Sequence, residues 1–137
     1  MRESPPMDPA AARLLNPLQL AYIGDAVWSL LVRMHHLNAG QNLRHMHDNT
    51  VAHVNAAAQA AALNRIAPVL SEEETAVVLR GRNAHPHHAA PRHQHTADYS
   101  ASTGLEALIG YLYVTGQEER NLQLCSLSRK EEPTCLP

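Results

Sequence analysis

Two carboxylates, Asp25 and Glu106, each stand alone in an otherwise apolar, glycine-bearing stretch of this chain. Asp25 lies in Ala21-Tyr22-Ile23-Gly24-Asp25-Ala26-Val27-Trp28. Glu106 lies in Ser102-Thr103-Gly104-Leu105-Glu106-Ala107-Leu108-Ile109-Gly110-Tyr111. An ionised carboxylate among apolar neighbours is costly unless it is hydrogen-bonded, paired with a cation or bound to a metal. If the two converge, they can hold a hard divalent ion, which prefers oxygen ligands and retains several waters. Such an ion activates water and orients in-line attack on a phosphodiester. The plainer alternative is that each is a buried acid satisfied by an arginine or a helix N-terminus. Gly24 beside Asp25, and Gly110 one turn beyond Glu106, leave room for a hydrated ion or for close backbone approach.

The elements carrying these acids are helical by pattern. From Pro17 to His36, Leu20, Ile23, Val27, Leu30, Leu31 and Met34 form one apolar stripe. Leu18, Ala21, Asp25, Trp28 and Val32 fall on the opposite side, so the helix is expected to be buried on both faces. Asn38-Ala39-Gly40 should close it. A second helical region, broken near Asp48-Asn49, culminates in the alanine-rich run Ala56 to Leu63 and ends at Pro68. Ser71-Glu72-Glu73-Glu74 reads as a capping box opening a helix that ends near Gly81. A last strong helix spans about Tyr99 to Val114 and stops at Thr115-Gly116. No strand or internal repeat is evident.

Composition agrees with an all-α domain. The 137 residues are 45% hydrophobic, yet include no Phe, one Trp and four Tyr, with Ala and Leu in bulk. That suits closely packed helices better than a β-sandwich. The expected organisation is a flexible arm over 1–13, one domain over 14–125 and a disordered tail over 126–137. A net charge of −2 gives no global basic field. Cys125 and Cys135 match neither a disulfide framework nor a zinc spacing. Without a secretory pattern or a transmembrane run, a cytoplasmic protein with no membrane association is the default.

Charge is uneven, however. Between Thr75 and Ala97 there is no acidic residue, while Arg80, Arg82, Arg92 and five histidines from His85 to His95 are present. Such a segment can contact phosphate without sequence preference. The alternative is a solvated loop. Zinc binding by the histidines is weakly supported, since no cysteine joins them. Trp28 and Tyr22 read as core or interface residues.

The two acid-bearing segments resemble the signature helices of the ribonuclease III catalytic domain. More narrowly, they are similar to the Mini-III branch, which lacks a double-stranded-RNA-binding domain. Arg80-Gly81-Arg82-Asn83-Ala84 stands between them, where that branch also carries Arg-Gly-Arg-Asn. The resemblance covers about residues 14–122. It implies an all-α ribonuclease III-like helical bundle that is homodimeric through helix 17–36 and cuts double-stranded RNA with Mg²⁺, Mn²⁺ being an acceptable substitute. It places Asp25 and Glu106 as the catalytic, metal-holding acids and includes Arg80, Arg82 and Asn83, which with Arg92 of the basic segment and Thr103, also a neutral oxygen for the metal's shell, are the residues expected at RNA. It also implies ribosomal RNA precursor as substrate, near the ends of the large subunit, with ribosomal proteins as further partners. Two acids of full-length ribonuclease III are absent, their positions being Ala21 and Thr103. Fewer protein ligands imply weak metal affinity without RNA. The same deficit supports the alternative of an inactive RNA-binding or ribosome-associated module.

Overall fold

A computed structural model describes residues 4–37, 42–84 and 96–129. The helices are α1 (Pro9–Arg13), α2 (Pro17–His35), α3 (Leu43–Val54), α4 (Ala56–Ile66), α5 (Glu72–Arg82), α6 (Thr96–Val114) and α7 (Glu118–Ser128), with a 3₁₀ turn over Ala67–Val69. Among the described residues there is no strand.

Helix α6 is the axis of the fold, packed against α2, α5 and α4. Leu105, Ala107, Leu108, Ile109 and Leu112 are fully buried, and Tyr111 nearly so. A helix apolar on all sides belongs in the centre of a bundle. Two glycine pairs set how closely its neighbours approach. A β-carbon on Gly24 would overlap the carbonyl oxygen of Glu106 and sit 2.8 Å from the Gly110 nitrogen. One on Gly81 would lie 2.9 Å from the Gly104 Cα, and one on Gly104 would lie 2.9 Å from the Val78 carbonyl oxygen. Thus α2 meets α6 at Gly24 and Gly110, α5 meets α6 at Gly81 and Gly104, and both contacts are backbone to backbone.

The local signals explain most boundaries. Asn16 and Gln19 form a capping box ahead of Pro17, and Ser71 with Glu74 forms the expected one at α5. Gly116, at φ 78°, reverses the chain after α6. The expected break at Asp48-Asn49 falls instead at Asn55, which ends α3 and caps α4 by accepting from the Ala58 N–H at 2.9 Å. Asp48 and Asn49 ride within α3 because Asn42 already caps its first turn through the His45 N–H. An Asx side chain caps only where amide hydrogens are free.

Three other expectations change. The arm over 1–13 is structured from Asp8, whose carboxylate caps α1. Ala12 is fully buried, and the Met7 N–H donates to the Val114 carbonyl at 2.8 Å. Residues 126–128, expected in the tail, belong to α7, which runs to Ser128 and buries it. In α2 the buried residues are Leu20, Ala21, Gly24 and Trp28, whereas Leu30 and Met34 are each 58% exposed. Its core face thus centres on Ala21 and Gly24, small residues between Leu20 and Trp28 that let α6 approach. Trp28 is a core residue, its Nε1 donating to the His53 carbonyl at 3.1 Å. Asn38-Ala39-Gly40, the histidines from His85 to His95, Arg92 and the end of the chain lie outside the described residues.

Candidate active site

The α2–α6 crossing brings the two singled-out acids together. Gly24 and Glu106 touch through their backbones, so Asp25, next along α2, stands beside the Glu106 side chain. The two carboxyls are within hydrogen-bonding reach of each other. Their surroundings differ. Asp25 is exposed, contrary to the apolar stripe on which its sequence places it, while Glu106 is largely enclosed. The desolvated acid is therefore Glu106. Burial first, then the hydrogen bond and the negative charge of Asp25, push its carboxyl up to about 8, against a smaller downward pull from Ser102.

Among the described residues, no Lys, Arg or His forms an ion pair with either acid. Nor does any group of three or more His, Cys, Asp or Glu offer a larger metal site. Among the described residues, neither acid is a member of an arginine ion pair. Two adjacent carboxyls without a cation have two ways of avoiding repulsion: sharing a proton, or binding a positive ion. Two oxygen donors, one of them open to solvent, are a donor set that a hard divalent ion can take while keeping water.

The remaining expected residues are distributed around this pair. Arg80 donates to the carbonyls of Arg13 and Leu15, the latter at 3.1 Å, so it ties α5 to the end of α1. Arg82 is exposed; its Cγ lies over Gly104 and its carbonyl accepts from Ser100 Oγ at 2.7 Å. Asn83 is exposed at the end of α5, where its N–H donates to the Leu79 carbonyl at 3.0 Å. Thr103 is buried and its hydroxyl donates to the Tyr99 carbonyl at 3.0 Å. Of the described residues expected at RNA, Arg82 and Asn83 thus present side chains to solvent, Arg80 has a structural tie, and Thr103 faces inward.

Two residues not singled out from sequence join the site. Ser102 Oγ lies 3.4 Å from Glu106 Oε1 and also contacts Gln59 Oε1 on α4. Ser102 was legible in principle, since a residue four before Glu106 shares its helix face. Gln59 was not, because nothing in an alanine run shows which way one amide points.

The comparisons with known proteins agree with this geometry. Residues 18–117 match the ribonuclease III domain. The chain is 49% identical over 107 residues to the Mini-ribonuclease 3 of Symbiobacterium thermophilum, covering 77% of this chain and 82% of that one. It is 44% identical over 115 residues to the Mini-ribonuclease 3 of a Thermoanaerobacter species, covering 83% and 80%. A crystal structure of a Fusobacterium nucleatum protein superposes with a TM-score of 0.75 at 31% identity, covering 84% of this chain and 92% of that one. The chain belongs to the ribonuclease III family, within its Mini-ribonuclease 3 branch. Membership makes it an endoribonuclease.

Proposed function

We propose that this endoribonuclease cuts double-stranded or structured RNA with a divalent metal held by Asp25 and Glu106. The observation that carries the reading is the carboxyl pair at the Gly24–Gly110 crossing, which faces no cation among the described residues. Mg²⁺ is the natural occupant and Mn²⁺ a substitute, since both accept carboxylate oxygen and water. When bound, the ion supplies an activated water and offsets charge developing on the phosphate. The protein fixes Glu106 in a partly dry wall and leaves Asp25 open to solvent, where a phosphate can approach. Arg82 and Asn83, exposed at the end of α5, provide contacts to the RNA backbone.

The active form is a homodimer built on α2. On α2, Tyr22, Leu30 and Met34 are 80%, 58% and 58% exposed, and Leu37, just beyond its end, is 62% exposed. An exposed apolar stripe of this kind is what an interface between two copies buries. Two copies would supply two carboxyl pairs, one for each strand of a duplex. The substrate we assign is the large-subunit ribosomal RNA precursor, with ribosomal proteins as accessory partners and the cytoplasm as location. Support comes from the motif resemblance and the Mini-ribonuclease 3 relatives. No described helix is long and apolar enough to cross a membrane.

One feature favours a second reading, an inactive RNA-binding module: Ala21 and Thr103, where full-length ribonuclease III has acids, are buried neutral residues. Labelled duplex RNA with Mg²⁺ separates the two. Cleavage by the unmutated protein, lost in Asp25→Asn and Glu106→Gln while RNA binding persists, is the expected outcome. Binding without cleavage by the unmutated protein removes the enzymatic reading.

A further inference from the structure

Gln59 is a buried polar residue whose amide is only half used. It is 2% exposed; its Oε1 takes the Ser102 contact, and its Nε2 has no hydrogen-bond partner among the described residues. A buried amide N–H without an acceptor is among the rarer and costlier defects of a folded protein. Ser102, itself buried, stands between this amide and Glu106 Oε1, 3.4 Å from the latter. One hydroxyl carries one proton, so Ser102 cannot donate both to the Gln59 carbonyl oxygen and to an ionised Glu106. Turning the Gln59 amide by a half rotation removes both conflicts. Nε2 then donates to Ser102 Oγ, and the Ser102 hydroxyl is free to donate to Glu106. The unpaired group left behind is a carbonyl oxygen, which is less costly to leave unpaired than an N–H.

We propose that Gln59 and Ser102 are positioning residues, forming a buried relay from the Gln59 amide through the Ser102 hydroxyl to the Glu106 carboxylate. It fixes the rotamer in which Glu106 faces Asp25. The relay joins α4 to α6 across the back of the carboxyl pair, so it holds Glu106 from the side opposite the solvent-facing Asp25. Hydrogen-bonded supports behind a ligating carboxylate set its orientation, and their loss weakens metal binding or activity by about 10- to 100-fold. With two carboxylates at the site among the described residues, a wandering Glu106 removes half of that acidic donor set.

The inference rests on the metal-dependent reading above, and a double-mutant cycle tests it. Ser102→Ala removes the central hydroxyl, and Gln59→Met keeps an unbranched side chain without the amide. Mn²⁺ binding to the RNA-free full chain is read by water-proton relaxation at millimolar metal, and Mg²⁺-dependent cleavage of duplex RNA is read in parallel. Each single variant should raise the metal midpoint in both assays by about 10-fold. The double variant should raise it no further, with the KM for RNA unchanged. Shifts that multiply in the double variant overturn the relay, as do wild-type metal midpoints accompanied only by a lower Tm. Unmutated protein that binds Mn²⁺ yet leaves RNA intact refutes the nuclease reading, and the Mn²⁺ cycle still decides the relay. Unmutated protein that neither binds Mn²⁺ nor cleaves RNA overturns both.

Discussion

Gly24→Ala is the substitution on which two physical arguments give opposite signs. In an exposed helix interior, replacing glycine by alanine stabilises by about 1 kcal/mol. Here the new methyl would overlap the Glu106 carbonyl oxygen, lie 2.6 Å from its carbon and 2.8 Å from the Gly110 nitrogen. These are backbone atoms of a central helix and cannot rotate aside. The two helices must separate by roughly an ångström to restore ordinary contact distances. Overpacking a well-fitted core costs about 1–3 kcal/mol and occasionally more. A backbone-to-backbone clash belongs at the upper end, so the net loss after the propensity gain is about 2–3 kcal/mol. For a domain of this size each kcal/mol moves Tm by roughly 4 °C, giving a fall of about 10 °C. The same separation moves Asp25 away from Glu106, and a misplacement of that size costs on the order of 100-fold in rate. Calorimetry of the metal-free protein and single-turnover cleavage at saturating Mg²⁺ measure the two effects. A Gly24→Ala protein with an equal or higher Tm and unimpaired cleavage would refute the claim that this crossing builds the site.

Glu106 makes the metal-free protein less stable as pH rises. Its folded carboxyl titrates at about 8, above the ordinary 4.5, so folding takes up a proton and stability declines between about pH 4.5 and 8. Saturating Mg²⁺ or Glu106→Gln should remove this decline; a Tm profile unaffected by either contradicts it. Glu74 has the opposite sign. Arg120, then the Ser71 N–H, hold its carboxyl below the ordinary value despite burial, so its contribution is present above about pH 4.5 and fades on acidification. Arg120 contacts both Glu74 oxygens at 2.8 Å and the Val69 carbonyl at 2.9 Å, so Arg120→Met should cost about 3 kcal/mol in urea unfolding at neutral pH. The two α5 arginines should separate cleanly. Arg82→Ala should lower RNA affinity and reduce the salt slope of binding by about 1, whereas Arg80→Ala should lower Tm and leave that slope unchanged.

The parts of the fold legible in the sequence are those encoded by short-range chemistry. The α5 capping box needs only Ser71 and Glu74 three residues apart, and α6 announces itself by an apolar run too long for a strand. Which part of α2 enters the core was not legible, because apolar residues on both faces predict burial all round, and so place Leu30, Met34 and Asp25 inside together with Leu20 and Trp28. The actual contact with α6 is made where side chains are absent, at Gly24 and Gly110. A scale that weights hydrophobic bulk is blind to a helix pair that gains by proximity of backbones.

The sequence pattern sets Asp25 on the side of Ala21 and Trp28, both of which are buried, with Gly24 at the contact itself. Asp25 nonetheless emerges at the edge of the core and not inside it. The two acids therefore cannot have equal roles. Glu106, enclosed and backed by Ser102, carries the desolvation cost and sets how strongly a cation is wanted. In the proposed metal site, Asp25 would be the ligand through which the cation exchanges with solvent. On the proposed dimer, the exposed stripe of Tyr22, Leu30 and Met34 runs along the same helix as Asp25, so burying it would partly close the open side of the pair. Closure there raises the local electrostatic strength of both carboxylates. Metal affinity should then rise with protein concentration through the monomer–dimer transition. Mn²⁺ titrations by relaxation at protein concentrations above and below that transition measure this coupling directly, and a midpoint independent of concentration would break the link between the α2 stripe and the carboxyl pair.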